Sequence, residues 1–337
     1  MNPQIIWITL NHKCNLNCQW CYQREVSRSG REMPLDMAHR LVDLSSDLST
    51  GIVVLIGGEP TMYPGFLDVV RYIDEKGITP SVVTNGIRFS SRRFVQQAQE
   101  SGLQEIVFSV KGASADEYFE ATGVNAFKRV RQAIANIATS QMRHRISVTV
   151  SASVIANWAV WIEFLKGSEI QEVNFSFEKP VILSGGVTFD DRMLPVNIAR
   201  FVQDVMYPSL KDTELDFKLE FMCPQCALPA EFIQLVEEEG HAFGGCTVMR
   251  QSGFAFDPGG YLLPCNHFVD FNMGKFGDDF STADEFWELL RSPENQAFYD
   301  MVNMAPCHEC SQCEKWSKCG GGCRIFWLYA NREKLVQ

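Results

Sequence analysis

Six short runs of aliphatic and β-branched residues recur through the first part of the chain, and they restrict its fold more than any other feature. They occupy residues 5–10, 52–56, 81–84, 106–110, 146–154 and 173–177. Between them lie amphipathic stretches near 35–48, 65–76, 91–101, 127–141 and 157–166, several followed by a glycine such as Gly77, Gly102 or Gly167. A strand that is apolar on both faces needs cover on both, and helices alternating with strands are how a parallel sheet obtains it. A glycine just past the periodic stretch is a helix stop signal. Two architectures satisfy the pattern: an open doubly wound sheet, or a barrel that falls short of eight strands. The alternation alone does not choose between them.

The twelve cysteines are distributed unevenly, with three at 14–21, none from 22 to 222 and nine at 223–323. The sequence does not open on a basic stretch followed by an apolar core and a small-residue cleavage site, and no apolar run reaches the roughly 18 residues of a membrane span. The expected location is cytoplasmic, where thiols stay reduced and clustered cysteines favour metal over disulfides. A net charge of -11 and a pI near 5.1 argue against sequence-independent binding to nucleic acid or an anionic membrane. Peptide and small-molecule substrates remain compatible.

Cys14, Cys18 and Cys21 follow the first β-run directly. Three thiolates so close together can converge on one soft metal centre, and a cubane cluster held by only three would keep one iron open. A zinc knuckle, or a redox pair made of Cys18 and Cys21, would use the same residues. Neither accounts for the turn Gly57-Gly58-Glu59 at the end of the second run, where glycine lets backbone approach a ligand closely.

The spacing C-x3-C-x2-C, with Trp20 before its last cysteine, and the Gly-Gly-Glu turn resemble the radical S-adenosylmethionine (radical SAM) superfamily. The resemblance implies an α/β fold, a partial (β/α)6 TIM-like barrel over residues 1–212. It implies a 4Fe-4S cluster on Cys14, Cys18 and Cys21, with S-adenosyl-L-methionine (SAM) chelating the open iron. The implied reaction is reductive cleavage of SAM to a 5′-deoxyadenosyl radical that abstracts a substrate hydrogen, fed by an electron donor such as flavodoxin or ferredoxin. Trp20 and Tyr22 become candidates for adenine contact, and Gly57, Gly58 and Glu59 for the SAM ammonium. Asn85, Ser109 and Lys111, at the ends of the third and fourth strands, fall where the family contacts the methionyl carboxylate or ribose. Ser151 and Asn157, near the end of the fifth, are candidates for the same contacts. Asn85 as part of a plain turn and Ser109 as an ordinary strand residue stay open. Phe175 and Phe177 could flank the adenine, but alternating aromatics on a strand more commonly face a core. Glu178 ends the sixth strand and is expected at the barrel mouth as a catalytic or substrate-contact residue.

Residues 181–195 read as a connector, with a helix expected at 196–211, a strand at 215–221, a hairpin around Asp257–Gly260 and a helical stretch near 282–303. The spacings Cys246, Gly260-x4-Cys265 and Cys310-x2-Cys313-x5-Cys319-x3-Cys323 resemble a SPASM domain, the auxiliary-cluster extension of many radical SAM enzymes, here over 213–337. The resemblance implies two auxiliary 4Fe-4S clusters, one on Cys246, Cys265 and Cys323 and one on Cys310, Cys313 and Cys319. Paired zinc sites are the alternative for these cysteines. The pattern's last cysteine, after Cys323, is missing; Cys307 and the pair Cys223 and Cys226 are present instead. Cys226 is expected as fourth ligand of the first auxiliary cluster and Cys307 of the second. Cys223 is then spare, either inert or a hydrogen-atom donor to a substrate radical. His267, close behind Cys265, is expected to support a ligand.

Many SPASM-bearing enzymes mature ribosomally synthesised peptides (RiPP biosynthesis), so a cross-link, epimerisation or oxidation of a peptide is the leading expectation. Because the first strand begins by residue 5, a leader peptide would be recognised by a separate protein or by this chain's own surface. The alternative is oxidation or rearrangement of a small metabolite such as a sugar or tetrapyrrole. A non-catalytic iron–sulfur or zinc protein is the remote one.

Overall fold

The computed structural model describes residues 3–336 apart from 25, 171, 184, 244 and 270. Each expected β-run contains a strand, β1 (Ile5–Thr9), β2 (Ile52–Ile56), β3 (Thr79–Thr84), β4 (Glu105–Val110), β5 (Arg143–Val150) and β6 (Glu172–Phe177), although the run at 146–154 turns helical after Ser151. They pair in chain order and all in parallel. A doubly wound sheet reverses its strand order at a switch point, whereas an unbroken order winds one way, as a barrel does.

Among the described residues seven α-helices lie between these strands: α1 (Leu35–Asp47), α2 (Phe66–Glu75), α3 (Arg92–Glu100), α4 (Ala115–Thr122), α5 (Phe127–Ala138), α6 (Ala152–Ala156) and α7 (Trp158–Lys166). Their buried faces explain why these segments are helical. On α2 the buried residues are Phe66, Val69, Val70 and Ile73, the i, i+3, i+4, i+7 stripe that a helix lays on a sheet.

The barrel is left open. After a separate hairpin of β7 (Val181–Leu183) and β8 (Gly186–Thr188), β6 is joined in parallel by β9 (Asp216–Glu220), which pairs in turn with β10 (Ala242–Phe243). On the opposite flank β1 pairs in parallel with β11 (Gly253–Phe256), and β12 (Tyr261–Leu263) and β13 (Gly274–Lys275) follow antiparallel. Residues 213–337 thus build both flanks of one sheet of eleven strands. The turn between β11 and β12 is held by the Asp257 carboxylate, which accepts N–H bonds from Gly259 and Tyr261 at 2.8 Å each.

Two helical expectations change in detail. The helix at 196–211 runs from Pro195 to Lys211 and widens to a π-turn over Val202–Met206. The stretch at 282–303 is two helices, Ala283–Leu290 and Pro293–Asn303. Pro293 has no N–H to continue the first, and the Ser292 side chain caps the second by accepting from Asn295 N–H. Among the described residues no helix is long and apolar enough to cross a membrane.

Candidate metal and cofactor site

All six barrel strands end at one mouth, where a cavity of about 270 Å³ opens. Cys14, Cys18, Trp20, Cys21 and Tyr22 border it from the loop after β1. Gly57, Gly58 and Glu59 follow β2, and Asn85, Ser109 and Lys111 come from the ends of β3 and β4. Phe177 and Glu178 close it from β6, and His267 enters from the cysteine-rich half. In a parallel barrel the carboxyl ends of the strands are where such a site is built.

The cysteine loop is seated by close backbone packing. Gly58 N–H donates to Asn11 O at 2.9 Å and Glu59 N–H to Lys13 O at 2.8 Å. A Cβ on Gly58 would lie 2.4 Å from Lys13 O, so only glycine fits beneath the loop. The turn therefore brings backbone close to the loop's own backbone. On its far side the loop is tied to the end of α4, with Asn17 N–H donating to Thr122 O at 3.0 Å and Gln19 Nε2 to Glu120 O at 3.0 Å.

Glu59 is 1% exposed and its carboxylate is fully engaged. Oε1 accepts from Thr61 N–H at 3.1 Å and from the hydroxyls of Thr61 and Thr84 at 2.6 Å each. Oε2 accepts from Asn85 N–H at 2.8 Å, and Asn85 Nδ2 donates to Asn15 Oδ1 in the cysteine loop at 2.7 Å. This side chain ties the ends of β2 and β3 together, and Asn85 links them to the cysteine loop. Lys111 donates to Ser109 Oγ at 2.6 Å and its ammonium lies 6.0 Å from the Trp20 ring centroid.

Two expected contacts lie elsewhere. Ser151 is buried as the N-cap of α6, where its hydroxyl accepts from Val154 N–H, and Asn157 turns its amide back to Ser153 O at 3.0 Å. Neither borders the cavity, because the chain has already left β5. Thr149 and Ser176, paired in register across β5 and β6, border it instead. Their parity along the strands was the available signal. Phe175 is wholly buried against Trp158, at 5.7 Å between ring centroids, and Phe177 stacks on Phe221 at the cavity wall.

Glu178 ends β6 with its N–H on Val150 O. Among the described residues its carboxylate has no hydrogen-bond or ion-pair partner. Burial, with the Asp190 charge adding to it and Arg192 opposing, pushes its pKa up to about 7. The next residue, Lys179, also borders the cavity and pairs with Glu220 at 3.3 Å.

The nine C-terminal cysteines fall into two neighbourhoods. Cys246, Cys265 and Cys323 act electrostatically on one another around a second cavity of about 180 Å³. Cys226 lies within electrostatic reach of Cys310, Cys313 and Cys319, with Cys307 hydrogen-bonded to Cys310. The expected place of Cys226 beside Cys246, Cys265 and Cys323 is thus corrected: the short turn Gln225–Ala227 carries it to the other group. Cys223 does not border the SAM-side cavity. It sits beyond Glu178 and Lys179 in an apolar pocket, next to Cys319 and Cys226. Gly322 makes this crossing possible, since its φ is +73° and a Cβ there would be 2.5 Å from the Cys223 carbonyl carbon. Tyr22 and His267 join the two halves, ring on ring at 4.8 Å, and His267 N–H donates to Cys265 Sγ at 3.4 Å.

The donor set fits iron–sulfur clusters. Burial pushes the Cys14, Cys265 and Cys310 thiols up to about 12, so none is a ready thiolate on its own. Such thiols ionise when a metal supplies the compensating charge. Among the described residues no three His, Cys, Asp or Glu side chains draw together around a point for a single ion. Thiolates around one zinc lie about 3.8 Å apart, given Zn–S bonds of about 2.3 Å; a cluster spreads its ligands wider.

Residues 8–157 match the Radical SAM superfamily. The AdoMet-dependent heme synthase of Methanosarcina barkeri is 24% identical over 99% of this chain and 95% of its own length. Streptococcus suis SuiB bound to S-adenosylmethionine has the same fold, with a TM-score of 0.75 at 19% identity over 100% of this chain and 76% of SuiB. AdoMet-bound anSMEcpe gives 0.73 at 16% identity, over 99% and 93%. SuiB has also been solved with its precursor peptide SuiA, and anSMEcpe with the Kp18Cys peptide. Barrel, cysteine loop and matched segment coincide at one mouth, and on that ground residues 8–157 form a domain of the Radical SAM superfamily.

Proposed function

We propose that the chain is a peptide-modifying radical SAM enzyme with a SPASM-type extension. The observation that carries this reading is the continuity of the mouth cavity, from the three thiols of the β1 loop to the unpartnered Glu178 carboxylate. Cys14, Cys18 and Cys21 would hold a 4Fe-4S cluster, Trp20 and Tyr22 would flank the adenine, and Ser109 and Lys111 would meet the methionyl or ribose oxygens. When bound, cluster and SAM supply a 5′-deoxyadenosyl radical by one-electron cleavage. The chain's own part is to fix the ligand against the Gly57–Gly58 turn and to keep bulk water out. Two auxiliary clusters fit the cysteine-rich half, one on Cys246, Cys265 and Cys323. The other takes Cys310, Cys313, Cys319 and Cys226, a placement supported by the electrostatic reach of Cys226 to all three.

The fold shared with two peptide-bound enzymes supports a peptide substrate. A second reading, a tetrapyrrole, is favoured by the full-length match to the heme synthase. Propionate-bearing rings call for uncommitted cations, yet in this cavity Lys111 would be taken by SAM, Lys179 is paired with Glu220 and Arg24 donates to the Cys18 and Gln19 carbonyls, while Glu178 presents a carboxylate. That charge arrangement favours the peptide. The test is anaerobic reconstitution with SAM and a reductant, followed by mass spectrometry of co-expressed peptides from neighbouring short reading frames and of added porphyrins. Absence of 5′-deoxyadenosine sinks the enzyme reading, and a mass change on the porphyrin alone sinks the peptide.

A further inference from the structure

Lys179 and Glu220 form an ion pair in the wall between the mouth cavity, which Lys179 also borders, and the cavity of the cysteine-rich half. Their side chains are 15% and 25% exposed, and both border the cavity enclosed by Cys246, Cys265 and Cys323. Strand geometry puts them there: Lys179 follows β6, Glu220 ends β9, and the two strands are hydrogen-bonded neighbours. A stability role explains the pair poorly, because burying two charges costs desolvation that their attraction only roughly repays. Their field falls on the thiols. Lys179 acts on both Cys323 and Cys265, and at Cys323 its influence exceeds the opposing one of Glu220.

We infer that the Lys179–Glu220 pair tunes the reduction potential of the auxiliary centre on Cys246, Cys265 and Cys323, added to the contribution of Arg324 in the same cavity. Potentials of iron–sulfur centres respond to nearby charge, hydrogen bonds to sulfur and solvent exposure. A cation beside the thiolates stabilises the reduced, more negative state, and an anion opposes it. Weak screening in this buried place makes both effects large. Because Lys179 is the stronger of the two, the pair's net effect is to raise the potential, and the His267 N–H on Cys265 Sγ acts in the same direction. Lys179 is also the residue directly after Glu178, so one strand end gives the mouth cavity a carboxylate and places a cation between that cavity and the auxiliary one.

This inference rests on the auxiliary assignment proposed above, and the experiment separates the two. In the full chain carrying Cys14→Ala, Cys18→Ala and Cys21→Ala, reconstituted anaerobically, the auxiliary centres are titrated by EPR against solution potential. The signal that disappears on further replacing Cys265 with Ala belongs to this centre. Lys179→Met is expected to lower its reduced-to-oxidised ratio at fixed potential at least tenfold, about 59 mV for a one-electron couple. Glu220→Gln is expected to shift the ratio in the opposite direction by a smaller factor, and the double variant to fall between them. Lys179→Arg, which keeps the charge, is expected to stay close to the parent. Shifts of the same sign in the two single variants, an unchanged ratio, or an Arg variant that behaves like Met overturns the inference. Failure of the parent to show any Cys265-dependent signal refutes the auxiliary assignment itself, and the inference with it.

Discussion

Replacing Glu59 with Ala removes the acceptor for four donors in a place water does not reach. The two hydroxyls, on Thr61 and Thr84, can rotate towards other acceptors, but the backbone N–H groups of Thr61 and Asn85 cannot. An orphaned buried donor costs about 1–3 kcal/mol, so the two together cost about 2–6 kcal/mol. That is a large share of the 5–15 kcal/mol or so that holds a typical domain folded. Glu59→Gln keeps the volume and one acceptor oxygen, and sets an amide against the single donor from Asn85, at a cost of about 1–3 kcal/mol. The assay is urea unfolding of the metal-free, SAM-free chain under anaerobic reductant, read as a shift in midpoint at constant slope. The order expected is parent, then Gln, then Ala. A carboxylate whose only work is to meet the SAM ammonium would leave the ligand-free chain unaltered. An Ala variant within about 1 kcal/mol of the parent would therefore refute the scaffolding role assigned to this side chain.

Gly58→Ala places a methyl 2.4 Å from Lys13 O and displaces the cysteine loop, so 5′-deoxyadenosine formation should fall at least about tenfold while the auxiliary iron is retained. Glu178 has a folded pKa raised from 4.5 to about 7, so the native state holds the extra proton and stability declines as pH rises through that window. Glu178→Gln should flatten that decline in urea midpoints measured from pH 4.5 to 7; an unchanged slope would show that the carboxylate is not desolvated. Cys226→Ala should lose the second auxiliary centre, whereas Cys307→Ala should keep it, as measured by iron and sulfide content per chain. The reverse result would return the fourth ligand to Cys307.

What could be read from the sequence follows a physical division between local and tertiary causes. The strands were legible because burial on both faces writes an apolar run, and the cysteine loop because its ligands lie within one turn of chain. Cys226 was misplaced because cluster ligands are gathered by the fold: the crossing of residues 222–226 under Gly322 has no local signature beyond the three glycines. Ser151 and Asn157 were chosen for closeness to a strand end, yet β5 stops at Val150 and Ser151 is already capping a helix. Strand parity would have pointed to Thr149 and Ser176. The roles of Glu59 and Lys179 depend on partners from other strands, which spacing along one chain does not encode.

The pairing of β1 with β11 has a consequence for how the chain is made. Ile5 takes its place beside Gly253, so β1 finds one of its two neighbours only about 250 residues after it is made. Until then one side of β1 carries unpaired N–H and C=O groups, a template for any other strand it meets. β6 waits in the same way for β9. A chain interrupted near residue 212 would carry two permanently open flanks next to three thiols without their metal. Synthesis and flank closure of this protein are therefore coupled events, and a chain arrested before its second half is made leaves strand edges to aggregate.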